Sequence, residues 1–419
     1  STQSRSSAAS DVYKRQPLKP LSAEALQQGL QALLEHHDGL RLKFVEEGAA
    51  WVATYAPLGQ VTAAPLAAMQ ADSLLWLADD ATEDSLQALC DTAQRSLDLQ
   101  QGPLLRAVLF TLRDGTQRLL LAIHHLVVDG VSWRVLLEDL HQALVQQAAG
   151  QTIKLPAKTS SSQAWAGQLQ AYARSAALQQ ELGYWQAQLQ DVDSGLPCDR
   201  ATDQVVIKDA RSVSTELDPS YTQRLLQDAP AAYRTQINDL LLTALARVIT
   251  RWTGDSSALV QLEGHGREEL FDSIDLSRTV GWFTSVFPVK LTPQPALADS
   301  IKLIKEQLRA VPNKGIGFGA LRYLGDAQAQ AALAALAVPR ITFNYLGQFD
   351  GSFDDQQAWF APANEAKGDD QSLHAPLGNW LTLNGQVYGG ELSLGWNFSR
   401  AMFDTATIEH LADCLLYTS

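Results

Sequence analysis

Apolar residues follow helical spacing in the first part of the chain. Residues 22–37 place Leu30, Leu33 and Leu34 on one face of a helix. Ser22 stands just before this run, where its hydroxyl can accept a hydrogen bond from a backbone N–H group of the first turn. The pattern therefore predicts a helix that is capped by Ser22.

A hairpin followed by a helix is predicted in the next part of the chain. Two apolar runs flank Asp114 and Gly115 within residues 106–125, and this dipeptide favours the tight turn of a β-hairpin. Gly130 interrupts the pattern, and residues 131–147 return to helical spacing. The second strand therefore leads into a strand–loop–helix corner, with two adjacent histidines at the strand end.

The rest of the chain alternates between helical and strand-like segments, which is typical of a mixed α/β fold. Residues 162–190 have the pattern of one long amphipathic helix, and Gly254 is placed to end a helix over residues 235–253. Further strands are predicted at a hairpin around Asn384-Gly385 and in VSTELD, ALVQLEG, FTSVFPVKL and PRITFNYLG.

One polar, Gly- and Pro-containing stretch is the best candidate for a linker between domains. SGLPCDRATD covers residues 194–203, so we predict an N-terminal lobe over residues 17–193 and a C-terminal lobe over residues 194–419. Residues 1–16 are polar and lack periodicity, which predicts a disordered or non-native segment. The last helix is expected to be cut short.

Composition narrows the function classes. The chain has 419 residues, a formal net charge of -14 and three scattered cysteines. An acidic chain lacks the clustered Lys and Arg of a nucleic-acid surface, and three cysteines are too few for a disulfide framework. No apolar run approaches the ~20 residues of a membrane span. We therefore expect a cytoplasmic globular protein without a nucleic-acid or membrane partner.

The stretch LAIHHLVVDGVSWR at the predicted corner contains the candidate chemistry. His124 and His125 point to opposite faces because successive strand residues alternate, so only one of them can line a site. This weakens a metal-site interpretation, since no nearby Cys or third His completes a ligand set. Asp129 follows on the turn, where it can fix the loop or orient an imidazole, and a histidine suits proton transfer near neutral pH.

HHLVVDG resembles the HHxxxDG motif of the condensation and epimerization domains of nonribosomal peptide synthetases. Four further stretches resemble motifs of the epimerization subgroup in particular, and they occur in the matching order. They are EGHGRE (263–268), RTVGWFTSVFPVKL (278–291), PNKGIGFGALRYL (312–324) and FNYLGQ (343–348). The resemblance extends from about Pro17 to near the end and lacks the family's first motif. It implies an α/β fold of two chloramphenicol-acetyltransferase-like lobes, arranged as a V-shaped pseudo-dimer with a tunnel between them.

The resemblance implies epimerization at the Cα of an L-aminoacyl or peptidyl thioester, which gives a D/L mixture for nonribosomal peptide synthesis. Two proton-transfer groups on opposite sides of Cα can remove a proton from one face and return one to the other, and we assign these roles to His125 and Glu263. We expect no metal and no cofactor of the protein's own. The substrate would arrive on the 4'-phosphopantetheine of an upstream peptidyl carrier protein domain, and a downstream condensation domain would follow.

Other positions receive supporting roles from the same resemblance. Asp129 is expected to form a buried ion pair with Arg41 rather than to shuttle protons, and His124 and Gly130 are expected to support the same loop. Trp282 is expected to pack at the junction of the two lobes rather than to contact the substrate. Binding of the substrate or the pantetheine arm is expected from Ser132, Trp133 and the pair Asn344 and Tyr345. At most one member of that pair can point into the site, because successive strand residues alternate.

Two other functions stay open. A condensation domain would form an amide bond between two carrier-bound substrates with the same histidine, but it has no evident need for Glu263. A catalytically inactive carrier-docking module is a different class, and the intact His125, Asp129 and Glu263 argue against it.

Overall fold

The computed structural model describes residues 10–349, 360–362 and 374–418, and their contacts group into two compact units. The first unit consists of residues 10–165, Phe271–Phe283 and 360–362. The second consists of Ala166–Leu270 and residues 284–349 and 374–418. The predicted division at 193/194 therefore differs from the observed one. Residues 166–193 pack with the second unit, and a short stretch from the second half of the chain returns to the first.

Both units mix strands and helices. The described strands are β1 (Ser10–Pro17), β2 (Leu42–Glu47), β3 (Ala50–Tyr55), β4 (Ala63–Pro65), β5 (Leu75–Ala81), β6 (Leu105–Leu112), β7 (Gln117–His124), β8 (Ala210–Leu217), β9 (Ala258–Gly264), β10 (Ser285–Leu291), β11 (Ile341–Phe349), β12 (Phe360–Pro362), β13 (Leu381–Tyr388) and β14 (Glu391–Ser399). The described α-helices are α1 (Ala23–His36), α2 (Glu83–Arg95), α3 (Gly130–Ala148), α4 (Ser162–Ala173), α5 (Ala176–Leu189), α6 (Pro219–Gln223), α7 (Ala229–Tyr233), α8 (Ile237–Thr253), α9 (Leu297–Arg309), α10 (Ile316–Gly319), α11 (Ala327–Ala334) and α12 (Thr405–Thr418). Among these described helices, none combines the length and the apolar composition that a membrane span requires.

The first unit is built on a sheet whose described strands lie in the order β12-β1-β7-β6-β5-β4. The predicted hairpin is present, because β6 and β7 pair antiparallel and Gly115 has the positive φ of 83° that suits a tight turn. β7 is buried on both faces. Leu119 and Leu121 lie in a core cluster with leucines of α1 and α3, whereas Leu120 and Ala122 lie in another with α2. The strand that ends at the histidine pair is therefore supported from both sides.

Part of the N-terminal segment that we predicted to be disordered is a strand. Residues 10–17 form β1, whose backbone pairs antiparallel with β7 from Ser10 opposite His124 to Arg15 opposite Leu119. The prediction was wrong for residues 10–16, because a polar segment can be ordered by backbone pairing along a strand edge. Residues 1–9 lie outside the described part of the chain.

The second unit contains a sheet whose described strands lie in the order β10-β9-β11-β13-β14-β8. β11 runs parallel to both β9 and β13. The core of the second unit includes Val260 of β9, Phe343 of β11 and Leu383 of β13, which pack with the leucines of α8. α8 ends as predicted at Gly254, whose φ of 80° fits a left-handed cap.

The stretch over residues 162–190 forms two helices, α4 and α5, and not the single long helix that we predicted. The side chain of Ser175 accepts a hydrogen bond from the Leu178 N–H group and thereby caps α5. The serine hydroxyl accepts from an N–H group that would otherwise bond to a carbonyl oxygen of one continuous helix, and this explains the break between α4 and α5.

The predicted hairpin turn at Asn384-Gly385 was also wrong. Both residues lie inside β13, and the turn to β14 is made by Gly389 and Gly390, whose φ values are 59° and 81°. Two adjacent glycines adopt these left-handed conformations without a steric penalty, so they form the two-residue turn more readily than Asn384-Gly385 would.

Candidate active site

The predicted strand–loop–helix corner is present in the first unit. β7 ends at His124, a short 3-10 turn covers His125–Val127, and α3 then begins at Gly130. Asp129 caps this helix, because its Oδ1 lies 2.8 Å from both the backbone nitrogen and the hydroxyl of Ser132. Gly130 is therefore the first residue of the helix and not a break before it.

The two histidines have different environments. His124 is 5% exposed, and its Nδ1 accepts a hydrogen bond from the Leu126 N–H group at 3.2 Å. Burial, and secondly the neighbouring His125, lower the pKa of His124 to about 4. His124 is therefore neutral at physiological pH, whereas His125 is the partly exposed member of the pair.

Trp282 lies against His125 within the first unit. The centroids of the two rings are 4.7 Å apart and their planes are inclined by 31°. The indole is 46% exposed. Trp282 therefore packs against the candidate catalytic imidazole and covers one side of it.

Asp129 and Ser132 connect this corner to the segment that carries Trp282. Asp129 Oδ2 accepts a hydrogen bond from the Phe283 N–H group at 3.2 Å. The Ser132 hydroxyl accepts a hydrogen bond from the Gly281 N–H group at 3.0 Å and lies 2.8 Å from the Gly281 carbonyl oxygen. The backbone on both sides of Trp282 is therefore attached to the start of α3.

The expected contact of Ser132 and Trp133 with substrate does not fit their burial. Ser132 is fully buried between Asp129 and Gly281, and Trp133 belongs to the core cluster of the first unit. Their positions on the inner face of α3 explain this outcome. They stabilise the corner and do not line a site.

The predicted ion pair between Arg41 and Asp129 is not formed between these two described residues. The Arg41 guanidinium instead pairs with Asp38 at 3.0 Å and donates to the Leu34 carbonyl oxygen. Asp38 stands three residues before Arg41, so the short 3-10 turn over Asp38–Arg41 already brings the two side chains together. The Asp129 oxygens are meanwhile occupied by the hydrogen bonds of the α3 corner.

Glu263 lies near the carboxyl end of β9 in the second unit and is exposed. The parallel pairing of β9 with β11 places Phe343 opposite Leu262, so the next residues, Glu263 and Asn344, are neighbours. The side-chain amide of Asn344 lies 3.3 Å from Glu263 Oε2, and hydrogen bonding favours the orientation in which its nitrogen faces the carboxylate. This contact joins a predicted proton-transfer group to a residue predicted to bind substrate.

Tyr345 is directed away from this carboxylate. Its ring packs against the core of the second unit, and its buried hydroxyl has no hydrogen-bond partner among the described residues. Burial raises the pKa of the hydroxyl. Of the pair Asn344 and Tyr345, Asn344 therefore lies beside Glu263 and Tyr345 does not, as the alternation of neighbouring strand residues predicts.

His36, His37 and Asp139 bring three potential metal ligands together in the first unit, a cluster that we did not predict. His37 Nε2 lies 2.7 Å from Asp139 Oδ2, and the guanidinium of Arg278 lies 2.6 Å from Asp139 Oδ1. The positive charge of Arg278 beside the Asp139 carboxylate disfavours the binding of a metal cation at the same place. The cluster therefore stabilises the first unit through polar contacts. It connects the end of α1 and helix α3 with the segment Phe271–Phe283.

The fold and the histidine corner define a class of protein. The chain belongs to the condensation domain family, whose model matches residues 16–418. One of the linear gramicidin synthase proteins from Brevibacillus parabrevis is 42% identical over 399 residues, which are 94% of this chain and 5% of that protein. Surfactin synthase subunit 2 from Bacillus subtilis (strain 168) is 37% identical over 395 residues, which are 93% of this chain and 11% of that protein. The chain thus spans a small part of these relatives.

Solved structures confirm the predicted mixed α/β, chloramphenicol-acetyltransferase-like fold. The epimerization domain from the third module of tyrocidine synthetase B is similar with a TM-score of 0.86 and 35% identity, over 98% of this chain and 90% of that chain. The X-domain from teicoplanin biosynthesis has a TM-score of 0.78 at 19% identity, over 99% and 90% of the two chains, and bears on the fold alone.

Proposed function

We propose that this domain epimerizes the Cα of an L-aminoacyl or peptidyl residue held as a thioester on the 4'-phosphopantetheine of a carrier protein. The observation that carries the proposal is Glu263, an exposed carboxylate with the Asn344 amide 3.3 Å away. Amide-bond formation has no evident need for this group. The 35% identity to a solved epimerization domain supports the same choice.

His125 and Glu263 are the two proton-transfer groups of the proposed reaction. One takes the α-proton and leaves an enolate whose negative charge lies largely on the thioester oxygen. The other then delivers a proton to Cα from the opposite face. Exchange with water afterwards removes the proton from the first group and returns one to the second. The Asn344 amide lies 3.3 Å from the Glu263 carboxylate, and with its nitrogen on that side it would donate a hydrogen bond that orients the carboxylate. His124 stays neutral behind His125 and adds no competing charge.

The proposed partners follow from the relatives, which are much longer synthase proteins. An upstream peptidyl carrier protein domain would deliver the thioester, and a downstream condensation domain would accept the epimerized residue. We propose a cytoplasmic location for this assembly.

A condensation activity is the second candidate, because the family model covers condensation domains as a whole. The two activities differ in their effect on Cα. Epimerization exchanges the α-proton, whereas condensation forms an amide and leaves that proton in place. The measurement is therefore made on the carrier-bound product.

The test is incubation of the domain with an L-aminoacyl carrier in deuterated water, with Glu263→Gln as the matched control. We expect deuterium at Cα together with a mixture of D- and L-isomers from the wild-type domain, whereas Glu263→Gln should not give that mixture. Amide formation with a second aminoacyl carrier, without deuterium at Cα, would instead identify a condensation domain. Tight carrier binding with neither reaction would identify a docking module.

A further inference from the structure

Trp282 combines the exposure of a surface residue with the backbone attachment of a core residue. Its indole is 46% exposed, yet it follows Gly281, which exchanges contacts with Ser132 through both its N–H group and its carbonyl oxygen. Phe283 on the other side donates its N–H group to Asp129. An exposed tryptophan does not need hydrogen bonds to the backbone on both of its sides. These bonds therefore indicate that the position of the indole matters.

The start of the same segment is anchored independently. Arg278 pairs with Asp139 at 2.6 Å and with Glu138 at 2.9 Å, and both partners belong to α3. Asp139 is fully buried and also contacts His37. The segment from Arg278 to Phe283 is therefore held on α3 at both ends, with Trp282 between the attachments.

The consequence for His125 is geometric. The imidazole of His125 lies 4.7 Å from the indole of Trp282, measured between ring centroids. The backbone of His125 belongs to a short 3-10 turn and not to the paired strand before it. An indole face against the ring limits the side-chain torsions that remain accessible. Proton transfer to a carbon atom depends strongly on such orientation.

We propose that Trp282 is a positioning residue for His125, and that Asp129 and Ser132 act on the imidazole through it. This inference rests on the proposed function, because it takes His125 as one of the two proton-transfer groups. It assigns to the HHxxxDG aspartate a physical task other than an ion pair with arginine. Asp129 joins the loop after the histidine pair to the segment that covers the reactive ring.

The kinetic consequence is directional. Trp282→Ala should slow α-proton exchange by about 10²-fold, the loss expected from a misplaced reacting group. The loss should affect the stereoisomer whose exchange His125→Ala also impairs. Exchange from the other stereoisomer, which depends on Glu263, should be largely retained. Trp282→Phe should recover most of the lost rate, because it keeps an aromatic face at the same position.

The experiment pairs this kinetic measurement with NMR of the histidine rings. Histidine carrying ¹³C in its ring is introduced into the wild-type domain and into Trp282→Ala, Trp282→Phe and Trp51→Ala, and His125→Ala assigns the resonance. Trp51 is the matched control because it is 52% exposed in the same unit. We expect the His125 ring protons to lose an aromatic ring-current shift in Trp282→Ala only, with a partial shift kept in Trp282→Phe.

The outcomes separate this inference from the proposed function. If the wild-type domain exchanges no α-proton, the proposed function fails, and the His125 resonance still decides whether Trp282 lies against the imidazole ring. An unchanged His125 resonance in Trp282→Ala would overturn the inference. Equal loss of exchange from both stereoisomers would overturn it too, because that result indicates general damage to the domain.

Discussion

The two groups assigned to proton transfer are supported in different ways. His125 follows a strand that is buried on both faces, and it lies beside Trp282, whose neighbours are hydrogen-bonded to α3. Glu263 is exposed at a strand end, where parallel pairing of β9 with β11 brings Asn344 to it. One reactive group is thus placed by the packing of distant segments, and the other by register within a sheet.

This difference predicts that substitutions around the two groups have different costs. Changes at the His125 corner should affect folding as well as catalysis, because its hydrogen bonds are buried. A change at Glu263 should affect catalysis with little effect on folding, because an exposed side chain contributes little to stability.

The largest effect is expected from substitution of the two groups themselves. His125→Ala and Glu263→Gln should each slow α-proton exchange by ~10²–10⁴-fold, the range for loss of a general base. Each should do so mainly for one stereoisomer, and the affected isomers should be opposite. Exchange into deuterated water is started separately from L- and D-aminoacyl carriers. Equal losses from both isomers for Glu263→Gln, with no residual exchange, would favour a single residue that shuttles the proton.

Asp129→Ala should lower the free energy of unfolding by about 2–4 kcal/mol. The substitution removes a helix cap and also leaves the buried Phe283 N–H group without its acceptor. Asp326→Ala is the control, because Asp326 is an exposed cap of α11 that accepts only the Ala329 N–H group among its side-chain contacts with described residues. That control should cost about 1 kcal/mol. Similar losses for both variants in urea unfolding would show that the bond to Phe283 contributes nothing.

The buried histidine predicts a pH dependence of stability. Burial lowers the pKa of folded His124 to about 4, below its ordinary 6.5, so the unfolded chain binds the proton first as the pH falls. Stability is therefore complete above about pH 6.5 and declines as the pH falls towards 4, with a loss of about 2 kcal/mol between pH 7 and pH 5. His124→Asn should lack this part of the decline. Unfolding free energies at the two pH values test it, and equal declines for both proteins would refute it.

The smallest effect concerns Arg41. Its pair with Asp38 is partly exposed, so a double-mutant cycle of Arg41→Ala and Asp38→Ala should give a coupling below about 1 kcal/mol. Arg41→Ala and Asp129→Ala should be additive within about 0.5 kcal/mol. A coupling of about 3 kcal/mol between Arg41 and Asp129 would restore the ion pair expected from the sequence.

Much of the local structure was determined by the sequence itself. Ser22 caps α1, Asp114-Gly115 turns the hairpin into β7, and Gly254 ends α8, each as predicted. These features depend on contacts within a few residues, so a short pattern contains the information that they need. The motif stretches likewise contained enough to identify the family.

Only the tertiary structure decided which distant groups meet. The Phe283 N–H group reaches Asp129 across 154 residues of sequence, and Trp282 covers His125 because the intervening chain returns to the first unit. Periodicity indicates that a side chain is buried, but not what buries it, and a carboxylate has several possible donors until the chain packs. Arg41 illustrates the same limit, because its nearer partner, three residues away, was present in the sequence but could not be ranked against Asp129 without the fold.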